Sequence, residues 1–487
     1  MRSRDLFAEQ AISGPLPAEL ASVSRDSRTA PPGTAFIAQA DGVERDQHIT
    51  AALAKGAVVA IAEPRTTNDE PRTVAMTPHA RWAFARASCA AHGLPLTAPL
   101  LAVTGTKGKS TVVHFAQAAL GPGAARIGTV GWHDGTSERP NPQTTPPPDE
   151  LHRFLASLPP GCPGVAMEAS SHGLDQHRLA GLRLAGLAVT NIGRDHLDYH
   201  GTTAAYVHAK LRAARLLTAG GMCVINADDE HAHVFAHAAL CAGARVIALG
   251  LGRGGHHRLP SCENATAFRN GPAWMLDAPG AEVVLPVRLP GGFNAWNAAA
   301  AVLLAEAAGV PLTLAAERLA DAPPVPGRLE LLARAPLTYV DYAHTPESLA
   351  LAIAALREAH PGRRLAVVFG CGGDRDNGKR APMGAAAATA DLVVLTDDNP
   401  RSEDPARITA QIVDGVRSPC EIEHQRSAAI LRARELCGPD GLVLVAGKGH
   451  ETQQKYADRI LEWDDRAFVR SLDDRTTGRP DDRTQGP

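Results

Sequence analysis

An apolar run, LLAVT at 100–104, passes without a break through GTKGK into STVVHFAQAAL, so a buried strand is followed by a glycine-rich turn and then a helix. A strand that feeds directly into a helix returns beside itself by a crossover, which commits this part of the chain to a mostly parallel sheet. The turn also carries chemistry. Gly105 and Gly108 free backbone N–H groups to curl around a phosphate, and the helix start adds positive potential. Lys109 can reach terminal phosphates, and Ser110 can hold Mg²⁺. The loop departs from the usual GxxxxGK[ST] pattern in one respect: Val103 stands in the place of the first glycine.

The rest of the chain repeats this alternation. GVAMEAS, LAGLAVTNI and GMCVINADD each lie beside a helical stretch, and TYVDYAH, LAVVFGCGG, DLVVLTDDNP and GLVLVAGKGH do the same after the linker DAPPVPG at 321–327. At 487 residues the chain needs more than one core. The expected fold class is therefore α/β with three domains: a small N-terminal α/β domain at 1–96, a central P-loop ATPase-like, mostly parallel sheet at 97–322, and a Rossmann-like domain at 323–472. The segment 473–487 has no aliphatic residue and is expected to be a disordered tail. No stretch reaches the roughly 18 apolar residues of a membrane span. A formal net charge of -3 argues against nucleic-acid wrapping. Eight cysteines scattered singly, with no CxxC, read as reduced thiols of a cytoplasmic protein.

The cations are unevenly divided. Only seven lysines accompany 42 arginines. A lysine kept in such a chain is a candidate for work that needs a compact or deprotonatable amine. Lys109 and Lys210 stand out, the second lying in the helical run AAYVHAKLRAARLL.

Polar clusters fall at the carboxyl ends of the apolar runs, where open α/β sheets bind ligands. MEASSHGLDQHR (167–178) offers Glu168, a carboxylate suited to a metal or phosphate site, and TNIGRDHLDYHG (190–201) brings Asp195 and His196 to the same edge. Beyond the linker, DYAHTP, GCGGDRDNGKRAPMG, DDNPRSEDP and AGKGHE combine both signs of charge, as a zwitterionic ligand requires. Ordinary turn and capping chemistry accounts for Asp398 and Pro400 but not for the whole set.

Read together, VTGTKGKST, QTTP, MEASSHGL, TNIGRDHLDYHG, NADD, GGFNAWN, PGRLE, VDYAHTP, FGCGGDRDNGKR, DDNPR and AGKGHE resemble the Mur ligases, in the family's order over about residues 20–470. Within that family the resemblance is to the ligases that add the third amino acid. It implies ATP held by Gly105, Thr106, Lys107, Gly108, Lys109, Ser110 and Thr111, with Asn294, Arg328, Asp341 and His344 completing the nucleotide site. It implies catalytic roles for Lys109, Glu168, His196 and Lys210. Two Mg²⁺ would draw on Ser110, Glu168, His196 and Lys210, the last carbamylated by CO₂. Ser27, Gln143, Thr144, Thr145, Ser170, Gln176 and Arg178 match contacts to a UDP-N-acetylmuramoyl dipeptide. Arg380, Asp398, Asn399, Pro400, Arg401, Gly447 and Glu451 match a pocket for meso-diaminopimelate.

The implied reaction passes through an acyl phosphate that the incoming amine attacks, and loops drawn from two domains imply closure before chemistry. L-lysine or L-ornithine is the alternative amino acid, and Arg401 bracing its own loop through Glu403 or Asp404 is the alternative reading of that residue. A non-catalytic P-loop nucleotide-binding protein is the alternative from another class. Four departures from the family pattern stand in the sequence: Lys107 replaces a common asparagine, Ser110 a common threonine, QTTPPP is proline-rich where some relatives have small residues, and 38–48 is one residue short in the uridine loop.

Overall fold

The computed structural model describes every residue except 9, 15, 41, 65–73, 95, 142, 253–258 and 478–487. Asp41 of the uridine loop, Pro95 at the expected boundary and the end of the expected tail lie outside the described residues. The chain divides into two compact units, one made of Met1–Pro286 with Trp296–Ala322 and the other of Val287–Ala295 with Pro323–Pro487.

The first unit holds two sheets. Strands 22–24, 34–37, 59–62 and 74–76 run parallel in chain order. Helix Ala80–Ala91 packs Ala80, Phe84 and Ala87 into the core of that sheet. The larger sheet has eleven strands, among them a parallel centre of 263–270, 245–251, 217–226, 184–189, 100–104, 165–168 and 125–128 in spatial order. Antiparallel strands extend it at both margins. Strand 100–104 is fully buried between 165–168 and 184–189, with Val103 opposite Glu168 and Thr104 opposite Val189. That register places the ends of the three motif-bearing strands side by side.

The second unit carries a six-stranded sheet in the order 330–334, 337–341, 442–446, 365–369, 392–395, 420–422, antiparallel only at its first pair. The α/β class with parallel-rich sheets is as expected from the alternation of apolar runs and helices. One expectation is corrected. The last helix runs from Asp465 to Thr477, and the Asp473 carboxylate accepts the Arg334 backbone N–H at 3.0 Å, so 473–477 are helical rather than disordered. The reason is local: Phe468, Val469 and Leu472 pack this helix against the sheet, and the polar residues behind them continue its last turns.

Under the loop edge of this sheet lies a buried ion pair. Arg426 grips both oxygens of Asp465 at 2.7 Å, and its remaining N–H groups reach the carbonyls of Asp397 and Ala446 at the ends of two strands. Removing one partner of such a pair strands the other charge, at a cost of ~3–5 kcal/mol. Arg426→Met should therefore lower the unfolding free energy of the second unit by about that amount in denaturant titrations, and adding Asp465→Leu should recover most of it. A loss under ~1 kcal/mol would mean that the pair is not needed to hold the strand ends.

Candidate functional site

The turn after strand 100–104 is held by its neighbours. Gly105 has φ +139, and a Cβ there would sit 1.9 Å from Thr190 Oγ1, so only glycine fits. Thr106 N–H donates to the Asn191 carbonyl at 2.7 Å, Lys107 N–H to Asn191 Oδ1 at 3.0 Å, and Thr190 Oγ1 to the Lys107 carbonyl at 2.6 Å. Gly108, at φ +86, lies against Asn297, and helix Lys109–Leu120 begins there with Ser110 and Thr111 buried.

Both selected lysines converge on this turn. Lys109 Nζ donates to the carbonyls of Gly105 and Thr106 at 2.9 Å, and Lys210 Nζ donates to the same Gly105 carbonyl at 2.7 Å. Lys210, in helix Thr203–Leu211, is only 1% exposed. Its Nζ lies 4.6 Å above the Tyr206 ring, and the Tyr206 hydroxyl lies 3.0 Å from Thr106 Oγ1. Burial, with the Lys109 charge beside it, pushes the Lys210 ammonium well below the ordinary lysine range.

Glu168, 1% exposed, ends the adjoining strand. Its carboxylate accepts from Ser110 Oγ at 3.0 Å, from Thr129 N–H at 2.7 Å and from Thr129 Oγ1 at 3.2 Å. These are neutral donors, and the nearby cation is the buried Arg126, which also pairs with Glu138. His196 follows the third strand with a left-handed backbone (φ +52), its ring against that of His172 and its Nε2 3.6 Å from Asp195. Burial lowers its pKa, so the ring favours the neutral form that a metal takes. Among the described residues, no group of three His, Cys, Asp or Glu side chains is close enough to hold a metal ion.

The residues matched to the UDP substrate also gather in the first unit. Arg178 donates to Gln143 Oε1 at 2.5 Å, to the Thr145 carbonyl, and through two N–H groups to Gln176 Oε1. Thr144 and Thr129 hydroxyls are 3.0 Å apart, Thr145 Oγ1 donates to the Glu168 carbonyl, and Ser170 caps helix Ser171–Asp175. Ser27 is buried in the smaller sheet's RDSR loop, whose Arg25 pairs with Asp149 at 2.9 Å.

In the second unit, Arg328 lies 4.5 Å over the Tyr342 ring, and the His344 ring meets that ring edge-on with centroids 4.7 Å apart. Asp341 accepts the N–H groups of Leu329 and Ala343, and burial raises its carboxyl pKa. Asn294 Nδ2 donates to the Pro290 carbonyl at 2.7 Å.

The amino-acid set forms one rim in that unit. Asn399 Nδ2 donates to Glu451 Oε2 at 3.0 Å, and Gly447 (φ +109) lies against Asp398, where a Cβ would be 2.7 Å from Oδ2. Arg401 has φ +53 and donates to the Gly373 carbonyl at 2.6 Å. It does not brace the loop through Glu403 or Asp404. Glu403 is taken at both oxygens, at 2.9 Å, by the buried Arg380, whose hydrogen bond holds that carboxyl at about 2, and Asp404 caps helix Pro405–Val413. Arg380 is thus a loop brace here, with its other N–H groups on Gln411 and Gly372.

Several residues at these sites carried no role in the sequence reading. Asn191 and Thr129 follow strand ends, as the recognised residues do, and Tyr206 lies one helical turn before Lys210. Their spacing was a usable signal, although nothing in their residue types was.

Comparison with known proteins places the whole chain. Residues 103–305 match the Mur ligase middle domain, and residues 327–449 match the Mur ligase glutamate ligase domain. A UDP-N-acetylmuramoyl-L-alanyl-D-glutamate--2,6-diaminopimelate ligase of Alkalilimnicola ehrlichii is 41% identical over 487 residues, covering 91% of this chain and 93% of its own. The enzyme of the same name from Brucella melitensis is 41% identical over 477 residues, covering 95% and 96%. A solved structure of a ligase with that name aligns at TM-score 0.70 and 30% identity over 98% of this chain and 99% of its own. A MurF from Acinetobacter baumannii aligns at TM-score 0.60 and 20% identity over 91% and 92%, a likeness of fold.

The crowding at Gly105 yields a test. Forcing a Cβ into that turn should store ~1–3 kcal/mol of strain. Gly105→Ala should weaken ATP binding by at least ~5-fold in calorimetry while the protein stays folded by circular dichroism. Unchanged affinity would show that the turn can relax without losing its function.

Proposed function

The chain belongs to the Mur ligases, ATP-dependent ligases of peptidoglycan synthesis, and from that premise we propose that it joins meso-diaminopimelate to UDP-N-acetylmuramoyl-L-alanyl-D-glutamate. The observation that carries the reading onto particular residues is the convergence of Lys109 and Lys210 on the Gly105 carbonyl, next to the Ser110–Glu168 pair. The three-domain division at 96 and 322 is part of the same proposal, with the dipeptide substrate held by the first two domains and the amino acid by the third.

The D-glutamyl γ-carboxylate attacks the γ-phosphorus of ATP, ADP leaves, and the acyl phosphate is opened by the amine of the amino acid to give amide and phosphate. Lys109, now on two carbonyls, turns its ammonium to the transferring phosphoryl oxygens. Arg178, fixed by Gln143, Gln176 and the Thr145 carbonyl, orients the dipeptide so that its carboxylate faces that phosphate.

Lys210 fits a carbamate. A buried amine pushed toward its neutral form can attack CO₂ at carbon and release a proton, which turns a buried cation into a carboxylate-like ligand. With Ser110, Glu168 and His196 it would then hold Mg²⁺, which when bound neutralises charge on the phosphoryl group. This reading removes the repulsion between the two ammonium groups.

Arg401 is the residue proposed to read the far carboxylate of the amino acid. Its left-handed backbone holds strain of a kind that clusters at ligand clamps, and its guanidinium rests on a carbonyl that a carboxylate would displace. Lysine, lacking that carboxylate, would leave the guanidinium on the Gly373 carbonyl, with no charged partner to gain.

Two measurements test the proposal. Lys109→Ala should slow phosphate release by ~10²–10³, the value of one preorganised donor to a developing charge, and a two- or three-fold loss would remove the loop from the chemistry. Wild type should favour diaminopimelate over lysine by ~10⁴ in kcat/KM, and Arg401→Ala should erase most of that preference. Equal use of lysine by the wild type would overturn the choice of amino acid and leave the ligase class standing.

A further inference from the structure

Lys448 is one of the seven lysines, and it has 0% exposure in the sharp turn after strand 442–446. No role has so far been given to it. A buried ammonium has three N–H donors and no acceptor, so each needs a partner. Lys448 has three: the Gln453 carbonyl at 2.6 Å, Glu451 Oε2 at 3.2 Å and Asn399 Oδ1 at 3.3 Å.

Two of those partners belong to the proposed amino-acid pocket, and they are bonded to each other. Asn399 Nδ2 donates to the same Glu451 Oε2 at 3.0 Å, and Asn399 Oδ1 also accepts the Lys455 N–H at 3.0 Å. The third partner, Gln453, begins a two-stranded hairpin, 453–455 with 460–462, that grips the loop at 397–401. Within it Gln454 Nε2 donates to the Asp397 carbonyl at 3.1 Å, Tyr456 hydroxyl to Asp397 Oδ2 at 3.0 Å, and Arg401 N–H to the Lys455 carbonyl at 2.9 Å. A single ammonium thus ties together the turn at 447–451, the loop at 397–401 and the hairpin.

From this geometry we propose that Lys448 is a positioning residue for amino-acid selection: it fixes Glu451 through Oε2, so that Oε1 faces the incoming ammonium, and it fixes Asn399 through Oδ1. The proposal rests on the pocket reading given above. It also accounts for lysine surviving where arginine is the usual cation. The three acceptors belong to three different residues and surround one nitrogen, whereas a planar guanidinium presents its donors in a fork and is longer.

The experiment is a kinetic double-mutant cycle on the full chain with Lys448→Met, Glu451→Gln and the pair, and with Lys448→Arg as the variant that keeps the charge. Lys448→Met should raise KM for diaminopimelate about tenfold or more, as expected for losing a hydrogen bond to a charged group, and change KM for ATP and for the uridine dipeptide less than ~2-fold. Lys448→Arg should behave like Lys448→Met. The double variant should lose clearly less than the product of the two single losses, because Lys448 acts in large part through that carboxylate and only the Asn399 contact remains to be lost. Additive losses, a shift in all three KM values together, or full rescue by arginine would each overturn the positioning role. Should Lys448→Met fail to fold, as judged by its thermal transition, Lys448→Arg and Lys448→Gln carry the cycle. If Glu451→Gln itself leaves KM for diaminopimelate unchanged, the pocket reading fails, whatever Lys448 does.

Discussion

Two ammonium groups donate to one carbonyl oxygen, that of Gly105, and much of the first unit is arranged to make this possible. The carbonyl is free for them because the turn leaves the strand at a φ only glycine adopts readily, and Thr190 and Asn191 occupy the space a side chain would need. Those two residues reach the turn because 184–189 lies beside 100–104 in parallel register. Lys210 reaches it because helix Thr203–Leu211 buries Tyr206 and Val207 in the central core and thereby points the lysine inward. Like charges at one buried acceptor are unfavourable in themselves. The phosphate contact proposed for Lys109 and the carbamate proposed for Lys210 would each relieve that repulsion.

The second unit solves a different problem, how to hold four loops of mixed charge at one sheet edge. It does so by pairing its most deeply buried arginines with carboxylates: Arg426 with Asp465 beneath the strands, and Arg380 with Glu403 beneath the glycine-rich loop. Each pair leaves guanidinium donors over for backbone carbonyls, so that it fixes loop backbone as well as neutralising charge. Gly373 shows how tight the result is, since a Cβ there would lie 1.8 Å from the Pro400 carbonyl.

Much of this was legible in the sequence because it is local. The strand–turn–helix at 100–120 and the apolar runs ending in polar clusters follow from periodicity and glycine placement, and the structure has them. What was hidden depends on contacts distant in the chain. Nothing near Arg380 announces that it will meet Glu403, 23 residues on, and serve as a brace. Thr129, which contributes two donors to Glu168 from 39 residues away, is an ordinary threonine until strands 125–128 and 165–168 pair. The tail was misjudged at its start because composition averages over a segment, whereas Phe468, Val469 and Leu472 are enough to carry a helix several residues further.

The scarcity of lysine proves to be structural information. Lys55, Lys109, Lys210, Lys379 and Lys448 each donate Nζ to at least one backbone carbonyl, of Arg28, Gly105 and Thr106, Gly105, His344 and Gln453 respectively. A carbonyl oxygen at the bottom of a turn is reached by a slim tetrahedral donor with little side-chain bulk behind it. Where the partner is instead a carboxylate that can take two parallel bonds, the chain uses arginine, as at Arg245–Glu263, Arg380–Glu403 and Arg426–Asp465. Arginine also meets single backbone carbonyls, as at Arg45, Arg318 and Arg401, so acceptor shape separates the two cations only at the bidentate carboxylate pairs. Lys109 and Lys210 meet such a carbonyl in the turn after strand 100–104, and Lys379 meets one in the loop after strand 337–341, both among the motif residues.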